Sequence, residues 1–200
     1  MNCNITLPCS SIDGKQPFSK SQIRRWVQTV EERDDSVGHS DRVARLAAHV
    51  TNYIDGADRQ VMEMNALLHD VGKMVIPTKI LRKPTSLTRR EYQVVKFHAQ
   101  MGGHIVQNIP DYAWAAEGAF FHHERYDGKG YPYGLKDTDI PLNARIISVV
   151  DCFDAMVSLR PYGQVYSTDE AIHEIARCRG TQFDPAVVDA MIRAVNDGLL

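Results

Sequence analysis

The chain has 200 residues, of which 44% are hydrophobic, so it is long enough for one domain with a full core. Its 23 basic and 25 acidic residues give a formal net charge of −2, which excludes a general electrostatic attraction to nucleic acid polymers or membrane surfaces. Four cysteines without CxxC spacing, and no apolar run of about 18 residues, predict a cytoplasmic protein with reduced thiols and no membrane span.

The N-terminal segment shows no periodic pattern and contains proline, glycine and serine residues. We predict that residues 1–18 form a flexible leader and that residues 19–200 form the folded domain. From Ser19 onward, apolar residues at helical spacing predict an amphipathic helix that ends near Asp34. Its apolar face carries Ile23, Trp26, Val27 and Val30.

Two further helices are predicted, from about His39 to Tyr53 and from about Asp58 to Val71, with Gly72 as a C-terminal stop. Each helix has a histidine on its apolar side. His39 lies four residues before Val43, and His69 lies four residues after Asn65. Residues at this spacing share one helix face, so both imidazoles are predicted to point inward.

Residues 72–87 contain two prolines and are predicted to form an extended connector. Thr88 and Glu91 have the spacing of a capping box and open a fourth helix. The predicted inner face of that helix comprises Tyr92, Val95, His98 or Ala99, and Gly102. A fifth predicted helix carries Trp114, Gly118, Phe121 and His122 on its apolar side.

A glycine-containing loop follows, in the run HHERYDGKGYP at residues 122–132. Residues 143–159 are apolar nearly all round, which is typical of a central buried helix, although Asp151 and Asp154 lie inside it. Two more helices are predicted after Ser167, which forms a capping box with Glu170, and after Asp184. Since no segment has strand periodicity, the predicted fold class is all-α, a single compact helical bundle.

Seven side chains of metal-binding types fall on or beside the inner faces of five predicted helices: His39, His69, Asp70, His98, His122, His123 and Asp151. A single inward histidine is most often a hydrogen-bonded core residue. Burying this many imidazoles and two carboxylates without partners would, however, cost several kcal/mol per charged group. The joint pattern therefore favours a metal cluster, because cations compensate carboxylates and use imidazole lone pairs.

Nitrogen and oxygen donors without sulfur favour divalent Fe, Mn, Zn or Ni, and seven donors are too many for one ion with an open position. Two ions are therefore predicted, with the Asp70 carboxylate bridging them. The predicted division places His39, His69 and Asp151 at the first ion, and His98, His122 and His123 at the second. Two ions roughly 3.5–4 Å apart hold a bridging hydroxide and clamp a phosphoryl group.

Lys73 lies four residues after His69, on the same side of the helix end. Its ammonium can steady a phosphate oxygen or protonate a leaving group. It can equally be a cation that interacts with the helix dipole at the C-terminus. Spacing alone leaves both interpretations open.

Five runs of the sequence together resemble the HD-GYP family, a subgroup of the HD phosphohydrolases. They are HSDRVARLA at 39–47, LLHDVGK at 67–73, HAQMG at 98–102, HHERYDGKGYP at 122–132 and DCFDAMVSLRPY at 151–162. The resemblance covers roughly residues 20–195. It implies an all-α, cytoplasmic bacterial phosphodiesterase that hydrolyses cyclic di-GMP to pGpG and often further to GMP. Fe or Mn are the expected ions, with Zn or Ni as alternatives.

The resemblance also implies roles for individual residues. The seven histidines and aspartates match the metal ligands of the family, and Lys73 and Asp70 match its catalytic positions. Gly130 and Tyr131 match a loop that lines the substrate groove and is proposed to meet diguanylate cyclase (GGDEF) domains. Asp154 and Arg160 resemble positions that contact the nucleotide, where a guanidinium can bind phosphate or guanine in a bidentate manner.

Three positions depart from the family pattern. Members with a third metal carry a glutamate four residues before the first histidine, where this chain has Asp35. Asp35 is therefore the candidate ligand for a third ion, which its shorter side chain disfavours. Arg33 stands where many members have an acidic residue, and Gly163 stands where many have a lysine or arginine. The missing cation implies a change in affinity, in the second hydrolysis step or in preference among cyclic dinucleotides.

Three functions follow from these observations. The first is a metal-dependent phosphodiesterase of cyclic dinucleotides. The second is a metal-loaded but catalytically slow domain that senses nucleotide or docks on a cyclase through the Tyr131 loop. The third is an HD phosphohydrolase of ordinary nucleotides, which has no need of that loop. Formation of pGpG separates the first two, and a panel of competing substrates tests the third.

Overall fold

The computed structural model describes residues 18–158 and 165–198, which form α-helices and no β-strand apart from one isolated bridge between Arg179 and Phe183. The predicted all-α class is therefore confirmed. The helices are α1 (Lys20–Glu31), α2 (His39–Val50), α3 (Arg59–Leu68), α4 (Thr78–Leu81), α5 (Arg89–Gln107), α6 (Ala116–Phe121), α7 (Leu142–Val157), α8 (Thr168–Arg177) and α9 (Pro185–Asn196). None of these helices combines the length and the apolar character needed to cross a membrane.

Several residues that the sequence analysis singled out lie outside the described residues. They are the predicted leader, apart from Phe18, and the two residues Arg160 and Gly163. The predicted helix starts at Ser19, Thr88, Ser167 and Asp184 agree with the structure, since each of these residues accepts a hydrogen bond from the first turn of its helix.

The end of α1 and the connector after α3 differ from the prediction. α1 ends at Glu31 because the chain turns over residues 32–35, where Asp35 has a positive φ of 60°. Residues 72–87 are not simply extended, since they contain the end of a 3₁₀ turn, Val71–Val75, and α4. A Cβ at Gly72 would overlap the carbonyl oxygen of His98, so the turn packs directly against α5. This close approach brings the end of α3 to the middle of α5.

The core surrounds α7, which packs against α2, α3, α6, α8 and α9. Its interior residues, including Ile146, Ile147 and Phe153, are fully buried, as predicted for a central helix. The predicted inward positions of Tyr92 and Trp114 are wrong, because their exposed fractions are 46% and 49%. The first turns of α5 extend past the bundle, and its buried residues begin only at His98.

Candidate metal centre

The seven predicted side chains converge from five parts of the fold. His39 opens α2, His69 and Asp70 follow α3, His98 lies within α5, His122 and His123 follow α6, and Asp151 lies within α7. Their ligand atoms form three overlapping groups, each with all atoms within 4.8 Å of one another. The groups are His39, His69 and Asp151; His98, His122 and His123; and His69, Asp70 and His122. The first two reproduce the predicted division.

Asp70 lies between these two groups. Its Oδ2 atom is 3.4 Å from His69 Nε2 and 3.9 Å from His39 Nε2. Its Oδ1 atom is 3.4 Å from His98 Nε2 and 3.9 Å from His122 Nε2. Each carboxylate oxygen therefore faces one group, which is the geometry that a bridging ligand requires.

The hydrogen bonds behind the imidazoles define which nitrogen is free. The Nδ1 atoms lie 2.6 Å from the Ala66 carbonyl in His69, 2.6 Å from the Val95 carbonyl in His98, and 2.9 Å from the Gly118 carbonyl in His122. A carbonyl oxygen can only accept a hydrogen bond, so each Nδ1 carries the proton. The Nε2 atoms of these three histidines therefore present lone pairs to the centre.

Two of these lone pairs, those of His98 and His122, face each other, and the third, that of His69, has no partner. His98 Nε2 lies 3.3 Å from His122 Nε2 and 3.1 Å from His123 Nε2, and the buried Nε2 of His69 has no hydrogen-bond partner. Facing lone pairs repel one another unless a cation lies between them, and a buried acceptor without a partner costs free energy. The donor set therefore fits divalent metal ions.

The two groups differ in their electrostatics. Burial and the neighbouring His98 lower the pKa of His123 to about 3, so its ring is neutral, which is the metal-binding form. Burial opposes a charge on His39, but hydrogen bonds to Asp151 and Asp154 raise its pKa to about 10. A metal ion bound by His39 would therefore displace a proton from the ring.

Asp154 lies behind His39 and is only 1% exposed. It accepts a hydrogen bond from His39 Nδ1 at 2.7 Å and two from Arg42, at 2.7 Å from Nε and 3.0 Å from Nη2. This contact directs His39 Nε2 toward Asp151, 3.1 Å away. The structure thus places Asp154 against a candidate ligand, whereas the family resemblance implied that it contacts nucleotide.

Lys73 and the acidic residues before α2 complete this side of the centre. The Nζ atom of Lys73 lies 2.7 Å from Asp70 Oδ2 and 2.8 Å from Asp34 Oδ2. Burial opposes its charge, but these carboxylates raise its pKa, so the ammonium stays protonated. Asp35, the candidate for a third metal, instead pairs with Arg82 at 2.8 Å and has a side chain that is 53% exposed.

Glu31 supports the centre, but sequence analysis missed it. Its carboxylate accepts hydrogen bonds from the backbone N–H groups of Gly38, at 2.7 Å, and Ser40, at 2.6 Å. It thereby satisfies free donors at the start of α2, where His39 lies. Glu31 follows Val27 by four residues, so its place on the apolar face of α1 was a detectable signal.

The loop with Gly130 and Tyr131 lies beside the second histidine group. Tyr131 stacks on His123 with ring centroids 4.8 Å apart, and Lys96 Nζ lies 4.7 Å from the Tyr131 centroid. The buried Glu124 holds the loop by accepting hydrogen bonds from the N–H groups of Tyr133, at 2.7 Å, and Gly134, at 3.1 Å. A Cβ at Gly130 would lie 2.5 Å from Glu124 Cα, so only glycine fits there.

Comparison with known proteins identifies the family. The sequence pattern of the HD domain matches residues 22–187. This chain belongs to the HD domain family. It is 36% identical, over 92% of its length, to the cyclic di-GMP phosphodiesterase response regulator RpfG of Xanthomonas campestris pv. campestris. The chain spans 50% of the length of that relative.

Solved structures show the same fold. The HD chain aligns over 90% of its length, with a TM-score of 0.68 and 18% identity, to a Vibrio cholerae phosphodiesterase specific for cyclic GMP-AMP, of which it covers 49%. It aligns over 88% of its length, with a TM-score of 0.65 and 17% identity, to Bd1817, an HDG"Y"P protein of Bdellovibrio bacteriovorus, of which it covers 62%. The predicted resemblance to HD-GYP proteins is confirmed.

Proposed function

We propose that this HD domain is a metal-dependent phosphodiesterase that hydrolyses cyclic di-GMP to pGpG. The single observation that carries the proposal is the position of Asp70, whose two oxygens each face a separate group of imidazoles. A pair of metal sites that share a carboxylate is suited to phosphate ester hydrolysis. The name of the Xanthomonas relative, a cyclic di-GMP phosphodiesterase, supports the choice of substrate.

The proposed ligands are the six residues of the two groups and Asp70, seven side chains in all. Fe or Mn are the proposed ions, as the family resemblance implies, and the nitrogen and oxygen donors suit both. When bound, such ions supply an activated water and stabilise the charge of a phosphoryl group. Asp154 is proposed to hold His39 in the tautomer whose Nε2 faces Asp151.

Lys73 is proposed to provide a fixed positive charge for a phosphate oxygen. Its ammonium is held beside Asp70, and neighbouring carboxylates raise its pKa, so retention of the proton is favoured over transfer to a leaving group. Tyr131 and Gly130 are proposed to form a wall of the substrate groove, since the Tyr131 ring stacks on His123 at the second group. Contact of this loop with a diguanylate cyclase stays a prediction.

Turnover of cyclic di-GMP tests the proposal. Purified protein is incubated with cyclic di-GMP and Mn²⁺ or Fe²⁺, and pGpG is separated by chromatography. Asp70→Ala is expected to abolish turnover and to lose bound metal, because it removes the shared ligand. Asp139→Ala, which removes an exposed carboxylate from the 3₁₀ turn Asp137–Asp139, is the charge-matched control and should behave as wild type.

Unchanged turnover in Asp70→Ala would reject the proposed chemistry. Wild-type protein that binds metal and nucleotide without forming pGpG would instead favour the slow sensor. Competition among cyclic di-GMP, cyclic GMP-AMP and ordinary guanine mononucleotides then measures the substrate preference.

A further inference from the structure

A second groove, of about 680 Å³, is lined by Asp154 but not by His39, to which Asp154 is hydrogen-bonded. Its basic wall comprises Arg42, Arg45 and His49 of α2 together with Arg59 at the start of α3. Leu46 and Val157 contribute apolar surface. None of these residues belongs to the groups that could hold metal or to the Tyr131 loop.

The pairing of charges leaves this groove positive. Its two carboxylates are already neutralised, since Asp154 pairs with Arg42 at 2.7 Å and Glu63 pairs with Arg24 at 2.7 Å. Arg45 and Arg59 are exposed and make no ion pair or side-chain hydrogen bond within residues 18–158 and 165–198. Two guanidinium groups are therefore available to an anion.

The chemistry of the walls indicates the class of ligand. Guanidinium groups bind phosphate through paired charge-assisted hydrogen bonds, and the apolar surface suits an uncharged ring system. The volume of the groove lies within the range of about 300–1,000 Å³ for small-molecule pockets. The groove is therefore larger than orthophosphate alone requires. The net charge of −2 argues against a nucleic acid polymer as the ligand.

We propose that this groove binds a phosphate-bearing small molecule of mononucleotide size, at a site separate from the metal centre. The phosphate contacts Arg45 and Arg59, and the nucleoside lies along Leu46 and Val157. Because Arg42 and Asp154 form both the edge of the groove and the support of His39, the ligand lies close to the metal centre without using its donors.

Calorimetric titration with GMP tests this site. The combined variant Arg45→Ala and Arg59→Ala is expected to weaken GMP binding at least about tenfold, as expected for the loss of charge-assisted hydrogen bonds. The charge-matched control, Arg25→Ala with Arg90→Ala, removes two exposed arginines outside the groove and should change the Kd less than about twofold. Thermal unfolding verifies that both variants are folded.

A further variant separates this site from the metal centre. Asp70→Asn should retain GMP binding in the groove, even if turnover is lost. Equal GMP affinity in wild type and in the groove variant would overturn the proposal, because GMP would then bind elsewhere. Inorganic phosphate that binds as tightly as GMP would also overturn it, since the nucleoside would make no contribution. A failed turnover assay leaves this test unaffected.

Discussion

Replacement of Asp154 by asparagine separates a residue that positions a metal ligand from one that contacts substrate. The buried carboxylate accepts hydrogen bonds from His39 Nδ1 and from Arg42 Nε, both at 2.7 Å. Asp154→Asn keeps the shape of the side chain, but its amide nitrogen cannot accept a hydrogen bond. Either His39 or Arg42 therefore loses its acceptor.

The expected loss follows from the strength of that contact. A hydrogen bond to a charged group contributes about 1.5–3 kcal/mol, which is roughly 10–100-fold in an equilibrium constant. Loss of the hydrogen-bond partner behind a metal-binding histidine typically lowers metal affinity by about the same 10–100-fold. We therefore expect Asp154→Asn to weaken metal binding by this factor and to leave KM nearly unchanged at saturating metal.

Competition between the protein and a chelator measures the metal affinity, and initial rates at saturating metal measure KM. Ser158→Ala is the matched control, since Ser158 Oγ makes only a 3.2 Å hydrogen bond to Asp154 and contacts no candidate ligand in its own right. Wild-type metal affinity combined with a raised KM in Asp154→Asn would refute the reasoning. The nucleotide contact implied by the family resemblance would then be correct.

Three further predictions concern the supporting structure. Gly130→Ala is expected to lower the free energy of unfolding by about 1–3 kcal/mol, because the new Cβ would approach Glu124 Cα to 2.5 Å. Thermal unfolding measures this loss, and Lys129→Ala is the control because its side chain is 80% exposed. Glu124→Ala leaves the N–H groups of Tyr133 and Gly134 without their acceptor, and should lower the free energy of unfolding by about 1–3 kcal/mol for each group that stays buried. Glu124→Gln keeps an acceptor oxygen, so a denaturant titration should show a smaller loss. Hydrogen bonds from Lys83 and Thr88 lower the pKa of Glu91 from 4.5 to about 2. The stability difference between wild type and Glu91→Gln should therefore be fully present above pH 4.5 and disappear as the pH falls to about 2. A stability difference that grows as the pH falls would contradict this.

The convergence of the candidate ligands was predictable from residue type and helix periodicity. His39 and His69 each share a face with apolar residues, and an imidazole on such a face needs a partner. The requirement for two positions around Asp70 followed from the number of donors. These inferences depend on local spacing and on the cost of burial, both of which are present in the sequence.

The contacts between distant segments were not predictable in this way. Periodicity identified the face of α5 that includes Tyr92, but it could not show that this part of the helix extends past the bundle. Spacing from His39 selected Asp35, whereas the backbone turn directs Asp34 to Lys73. Asp154 likewise required the packing of α7 against α2 to reveal its contact with His39.

Anomalous scattering at the metal absorption edge, from crystals of freshly purified protein, tests the central claim most directly. We predict two ions on opposite sides of the Asp70 carboxylate. One ion should be bound by His39, His69 and Asp151, and the other by His98, His122 and His123. The absence of ions from these groups under metal-replete conditions, or their location elsewhere in the domain, would contradict the account.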